Sequence, residues 1–123
     1  MGELAGMSEV VWSLPTPSQE FDQGPHILVS PGKVTLRWDF EDESGEYAWS
    51  SAEFLGVEAV NFTGHDSCTP EQVQAYDRLV VIESSELLAS LRGAGAKFLR
   101  HYRIYFDEVG CLDVIAEEFA APR

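Results

Sequence analysis

Between Lys33 and Glu41 apolar and polar residues alternate without a break: Val34, Leu36, Trp38 and Phe40 fall on one side, and Lys33, Thr35, Arg37, Asp39 and Glu41 on the other. A period of two sustained over that length marks a strand with one buried face. Asp42-Glu43-Ser44-Gly45 comes next and fits a type I turn closed by a glycine in the left-handed region, which returns the chain as a hairpin over 33–54. In that register Phe40 faces Ala48, Trp38 faces Ser50, Leu36 faces Ala52 and Val34 faces Phe54, so large residues meet small ones. A two-residue turn would instead set Trp38 against Trp49, and the one-residue slip would move the returning side chains to the other face. The glycine-closed turn is preferred.

The alternation returns near the C-terminal end. Asp107-Glu108-Val109-Gly110 has glycine in the same fourth position, and a second hairpin is expected over 100–119. The same turn would pair Phe106 with Leu112, Ile104 with Val114 and Tyr102 with Ala116, leaving His101, Arg103, Tyr105, Asp113 and Glu117 on the opposite face, with Cys111 and Ile115 among them.

The middle of the chain reads differently. Gly56 permits a bend before a third strand at 57–62. Thr69-Pro70-Glu71-Gln72 has the form of a capping box with proline in the first turn, and it predicts a helix over about 70–78 that buries Val73 and Tyr76. A short β-branched run at 79–83 is expected to be a strand. Ser84 or Ser85 caps a second helix over about 85–92, whose Leu87, Leu88 and Leu91 form an apolar stripe ending at Gly93. From 14 to 32, Pro15, Pro17, Gly24, Pro25, Pro31 and Gly32 confine the chain to irregular surface structure with at most a short edge strand at 26–29. Together these elements predict an α+β fold. An antiparallel sheet of about five or six strands would carry the two hairpins, with both short helices packed on one of its faces.

The chain is expected to form a single domain over all 123 residues, with 1–6 as a loose end ahead of Met7. Charge changes the picture most. Twenty-one acidic residues face eight Lys and Arg, a net charge of −13, and residues 1–60 hold eleven acids against two bases. Nucleic acid and anionic membrane surfaces are excluded as partners on that ground, because neither can be neutralised by so few scattered cations. A basic protein partner is favoured instead, its encounter steered by the acidic first half. Two cysteines make no disulfide framework, no apolar run suggests a membrane span, and the reading is of a cytoplasmic protein with no implied cofactor.

Three constellations could carry chemistry. Gly64-His65-Asp66-Ser67-Cys68 places a thiol ahead of a helix, where the helix dipole and His65 would activate it; Cys68, His65 and Asp66 are the catalytic candidates of a thiol-dependent enzyme or redox-reactive protein. Each also has an ordinary role, Asp and Ser as turn formers and a solitary Cys as a small buried residue. A His65, Cys68, His101 and Cys111 metal set fails on spacing, since His101 and Cys111 would stand about 14 Å apart along the hairpin, and no metal is expected. The third constellation is a surface: Arg37, Asp39, Glu41, Tyr47 and Trp49 share the face opposite Trp38, the composition of a protein interface unless a helix covers it. The function expected is a non-enzymatic binding or accessory module that meets a basic partner, with a homodimer through a sheet edge or the aromatic face as a further arrangement.

Overall fold

The computed structural model describes residues 8–91 and 98–122. Among the described residues nine strands form two antiparallel sheets: β1 (Ser8–Ser13), β2 (His26–Ser30), β3 (Lys33–Glu41), β4 (Tyr47–Leu55), β5 (Ala59–Gly64), β6 (Arg78–Ile82), β7 (Arg100–Phe106), β8 (Gly110–Ala116) and β9 (Glu118–Ala120). Five of them order as β1-β6-β7-β8-β5, and four as β2-β3-β4-β9. The chain passes between sheets after β1, after β4 and after β8. This overturns the α+β expectation of one sheet with helices on a face. The partner of the hairpin's apolar face is a second sheet, and the helices are single turns, α1 (Pro70–Val73) and α2 (Glu86–Ser90).

The core lies between the sheets. Val34, Leu36, Trp38, Ala52 and Phe54 from one sheet meet Tyr102, Ile104, Phe106, Leu112, Val114 and Ala116 from the other, all essentially closed to solvent. Burying each of the larger side chains is worth about 1.5–3 kcal/mol, so this double layer of alternating residues is the main source of stability. Trp12 and Phe119 close one end, with ring centroids 5.2 Å apart, and Trp12 lies 5.7 Å from Trp38. β1, which carries Trp12, has no counterpart among the elements expected from the sequence.

The first hairpin adopts the expected register: Phe40 pairs with Ala48, Trp38 with Ser50, Leu36 with Ala52 and Val34 with Phe54. Its turn is closed by a Gly45 N–H donating to the Asp42 carbonyl at 3.0 Å, with Gly45 at φ +88°. In the second hairpin the partner strand is displaced by two residues, so that Phe106 pairs with Gly110, Ile104 with Leu112 and Tyr102 with Val114. A shift of two keeps the side chains from Cys111 to Ala116 on their predicted faces, but the hairpin ends at Ala116 rather than 119: Glu117 N–H donates to the Leu55 and Gly56 carbonyls, and Glu118–Ala120 joins the other sheet. The turn closes one residue early, through Val109 N–H to the Phe106 carbonyl, with Glu108 in the left-handed region at φ +56°. Gly110 is thereby released for a different task, since a Cβ there would stand 2.2 Å from the Thr63 carbonyl oxygen of β5.

The capping box at α1 forms as expected, with Thr69 accepting from Gln72 N–H and the Gln72 side chain accepting from Thr69 N–H. The helix then stops at Val73 rather than near 78. Beyond Gln74 turn-type bonds three residues back follow, Ala75 N–H to the Gln72 carbonyl and Tyr76 N–H to the Val73 carbonyl; the Ala75 carbonyl accepts Tyr105 N–H, Asp77 N–H donates to the Tyr105 carbonyl, and Asp77 takes φ +57°. Docking on β7 wins over helix continuation, and it reverses the expected burial: Gln72 and Ala75 are buried, whereas Val73 and Tyr76 are exposed. α2 is capped by Ser85 and ends at Ser90, with Leu91 extended, short of the expected 85–92; Gly93 and the loose end at 1–6 lie outside the described residues. The third strand, expected at 57–62, runs from Ala59 to Gly64 and belongs to the five-stranded sheet, paired with β8. Among the described residues no helix is long and apolar enough to cross a membrane.

The irregular segment 14–25 is more than surface loop. Leu14 enters the core, and Ser18 is buried with its hydroxyl donating to Asp77 and accepting Asp107 N–H at 2.8 Å. Asp39 holds the far end: its carboxylate accepts the backbone N–H of Asp22, Gln23 and Gly24 at 3.2, 2.7 and 2.9 Å. Burial pushes that carboxyl up, but the Gly24, Gln23 and neighbouring amides outweigh it and hold the pKa below the usual aspartate value. Asp39→Ala is expected to orphan three amides and cost about 3 kcal/mol, read as a lower urea midpoint with faster amide exchange at Gln23. Unchanged exchange there would show that the loop is held by something else.

Candidate functional site

Two regions collect chemically capable side chains. The first is the outer face of the four-stranded sheet; α1 and α2 pack instead against β7 of the other sheet. Tyr47 and Trp49 are exposed there (56% and 39%), beside exposed Leu28 and Glu41. The indole of Trp49 leans back across β3, with the Arg37 guanidinium carbon 4.7 Å from its ring centroid and the His26 ring 4.9 Å away. The Tyr47 hydroxyl is held above the ordinary tyrosine value, first by desolvation and then by the carboxylates of Asp22, Glu41 and Asp39, which report a negative potential at this end of the sheet. Asp39 itself is a correction to the expected surface. It is 2% exposed, because the loop at 22–24 needs its carboxylate and folds over it.

The thiol candidates are brought near one another without the arrangement that would activate Cys68. Cys68 follows a one-turn 3-10 segment, His65–Ser67, and its Sγ donates to the carbonyls of Thr63 and Gly64, both at 3.4 Å. Burial, the largest influence, pushes the Cys68 thiol up rather than down. His65 Nδ1 is engaged with the Tyr105 hydroxyl at 2.9 Å, and Asp66 projects fully into solvent with its Oδ1 3.7 Å from His65 Nε2. Among the described residues no group of three or more His, Cys, Asp or Glu is placed to hold a metal ion. His101, one of the four considered, has both ring nitrogens engaged.

Those nitrogens belong to the second region, a polar network on the outer face of the five-stranded sheet beneath α1 and α2. Ser85 Oγ lies 2.6 Å from His101 Nδ1, and His101 Nε2 lies 2.5 Å from Asp113 Oδ1. Arg103 Nε donates to the same Oδ1 at 2.7 Å, while Gln72 Nε2 donates to Oδ2 at 3.3 Å and to Thr63 Oγ1 at 3.2 Å. His101 and Asp113 are 4% and 2% exposed. Burial pushes the Asp113 carboxyl up, yet the His101 hydrogen bond and the Arg103 guanidinium together bring it below the usual aspartate value. An ionised carboxylate only accepts, so His101 carries a proton on Nε2. The neighbouring Cys111 thiol is pushed well up by burial and the Asp113 charge, which leaves it a thiol that donates to Asp113 Oδ2.

The network borders an open cleft of about 650 Å³ whose walls include Asn61, Thr69, Ser84 and Glu86. Sequence patterning placed His101, Arg103 and Asp113 on one face and Ser85 at a helix cap, but it did not join them. The two-residue error in register is the reason: the observed pairing puts Arg103 directly across from Asp113, and the expected one does not. Compared with protein-family models, curated proteins and solved structures, the chain matches none of them.

Proposed function

We propose that the protein is a binding module that receives a basic protein partner on the outer face of its four-stranded sheet. The observation that carries this reading is that Tyr47 and Trp49 stay exposed on this face beside the loop that covers Asp39, within a field set by Asp22, Glu41 and Asp39. Aromatic anchors inside an acidic rim suit a lysine- or arginine-rich surface: the rings supply contact area at little entropic cost, and the carboxylates steer approach. The −13 net charge adds long-range attraction of the same sign. Arg37 and His26 already pack against the Trp49 ring, so an incoming cation meets its exposed part and the carboxylates around Tyr47.

A net charge of this size binds any polycation weakly, so the test must locate the contact. Binding of a fluorescein-labelled arginine-rich peptide is followed by anisotropy. Tyr47→Ala and Trp49→Ala, which leave the net charge untouched, are each expected to weaken binding about tenfold, and Phe62→Ala on the other sheet to leave it unchanged. Affinity is expected to fall between about 0.05 and 0.5 M salt. Equal affinity for all three variants, or indifference to salt, rejects this surface as the docking site. Self-association through the same face would appear as a dimer in sedimentation that Trp49→Ala dissolves.

A further inference from the structure

We propose that Ser85, His101 and Asp113 form an acyl-transfer centre that hydrolyses small neutral or cationic carboxylic esters, with Ser85 as nucleophile and His101 as base. The three residues come from separate elements: Ser85 from the turn between β6 and α2, His101 from β7 and Asp113 from β8. They stand in a continuous line, Oγ to Nδ1 at 2.6 Å and Nε2 to Oδ1 at 2.5 Å. With a proton held on Nε2 by Asp113, Nδ1 faces the Ser85 hydroxyl, where its lone pair can take the hydroxyl proton. Nucleophile, base and the group that orients the base are thus in hydrogen-bond reach in the order the chemistry requires.

A capping role accounts for only part of this. Ser85 Oγ accepts Leu88 N–H at 2.9 Å, which is all that a cap needs. The hydroxyl proton could have been satisfied by a backbone carbonyl, without sequestering an imidazole and a carboxylate from water, which is costly. Two further features surround the serine. Ser84 takes φ +57°, an uncommon conformation for a residue with a side chain, so the strand-to-helix turn that presents Ser85 is strained. Arg103 is anchored to Asp113 through Nε alone; its Nη groups have no partner among the described residues. They are not sealed in the interior either, since Trp38 Nε1 is the only fully buried side-chain nitrogen or oxygen there without a partner. Arg103 lines the same cleft as Ser85, His101 and Asp113, and its free donors can meet the oxygen of a developing oxyanion.

The reaction balances with water as the only co-reactant. Ser85 Oγ bonds to the ester carbonyl carbon as its proton passes to His101 Nδ1, and the negative charge moves to the carbonyl oxygen facing Arg103. Collapse breaks the bond to the leaving oxygen, which takes the proton from Nδ1 and departs as the alcohol. Water, deprotonated by the same nitrogen, then releases the acid and restores Ser85. Glu71 and Glu86 on the cleft walls disfavour anionic substrates, which sets the ester class.

The decisive experiment uses the unmodified protein. It is incubated with an alkyl fluorophosphonate, which transfers its phosphonyl group to an activated serine with loss of fluoride, and the adduct is located by peptide mass spectrometry. A single adduct on Ser85 is expected, with Ser84 unlabelled. No adduct, or labelling spread over several hydroxyls as in the urea-unfolded chain, overturns the proposal whatever the variants do. His101→Gln is expected to lower both labelling and p-nitrophenyl acetate hydrolysis on the order of 10²-fold or more. Asp113 is a positioning residue: the amide of Asp113→Asn would donate to Nε2, move the ring proton to Nδ1 and leave Ser85 without an acceptor. Its maximal labelling rate is expected to fall while the half-saturating reagent concentration holds, a split that loss of packing would not produce. A fall in apparent affinity alone would assign Asp113 a structural role and overturn the relay.

Discussion

Asp113→Ala is expected to destabilise the protein by about 3 kcal/mol, at the low end for removing one partner of a buried charge pair because the Arg103 guanidinium also reaches the cleft. The carboxylate is 2% exposed and holds His101, Arg103 and Gln72 at once, so its loss leaves a guanidinium, an imidazole and an amide facing each other without their common acceptor. A lowered urea midpoint at neutral pH with an unchanged slope is the measurement. The charge itself can be separated from the packing. In an Arg103→Met background the same substitution should cost clearly less, because the orphaned cation is gone. Additive losses would mean that Arg103 and Asp113 do not act as a pair.

The same carboxylate, with Asp39, shapes the response to acid. Both have folded-state pKa values below their unfolded value of about 3.9. A depressed carboxylate contributes stability that is complete above the unfolded pKa and is lost as pH falls through the folded one. The native protein is therefore expected to lose stability steadily below about pH 4, and Asp113→Ala to show a shallower decline over that window.

Gly110→Ala is the second substitution with a large expected effect, on the order of 3 kcal/mol or more. A Cβ there would stand 2.2 Å from the Thr63 carbonyl oxygen, 2.7 Å from Phe62 Cζ and 3.1 Å from Gly64 Cα, and φ is +145°, where side chains are strained regardless of space. The obstruction is mostly backbone, so β5 must leave β8 at the Gly64–Gly110 end of their ladder. Amide exchange is expected to quicken along β5 while the β3–β4 hairpin keeps its protection. Gly64→Ala, directly across the ladder and with nothing within 4 Å of its Cβ, is the control and should cost far less. Equal tolerance at the two glycines would contradict the close approach.

The glycines also show why one hairpin could be read and the other only in part. Gly45 serves its own turn, so Asp42-Glu43-Ser44-Gly45 sets the register of β3 and β4 by local backbone geometry alone. Gly110 serves β5, a strand some fifty positions away in the chain, and the turn is left to Glu108 and Val109. No local pattern distinguishes those two uses. The helix at Thr69 divides the same way. Its start is a side-chain exchange between neighbours and appears as written, whereas its end is decided by Tyr105 taking the backbone of Ala75 and Asp77.

For the functional regions the division follows the range of the interactions. Alternation over 33–41 and the glycine-closed turn of the 33–54 hairpin together placed Tyr47 and Trp49 opposite Trp38, because strand side chains point to opposite faces once the register is set. That Tyr47 and Trp49 stay exposed there while Asp39 is covered depended on where the helices and the 22–24 loop went. The Ser85–His101–Asp113 line needed three elements, a register and a docked turn to be correct together. What the amino-acid order alone determined about this protein is its acidity, the strands of its two hairpins, their faces and its first turn, all set by covalent geometry and near neighbours. Sheet pairing, the exchange of helix for a second sheet, and the joining of a serine, a histidine and an aspartate were decided by packing, since contacts between distant segments form only where the whole core closes.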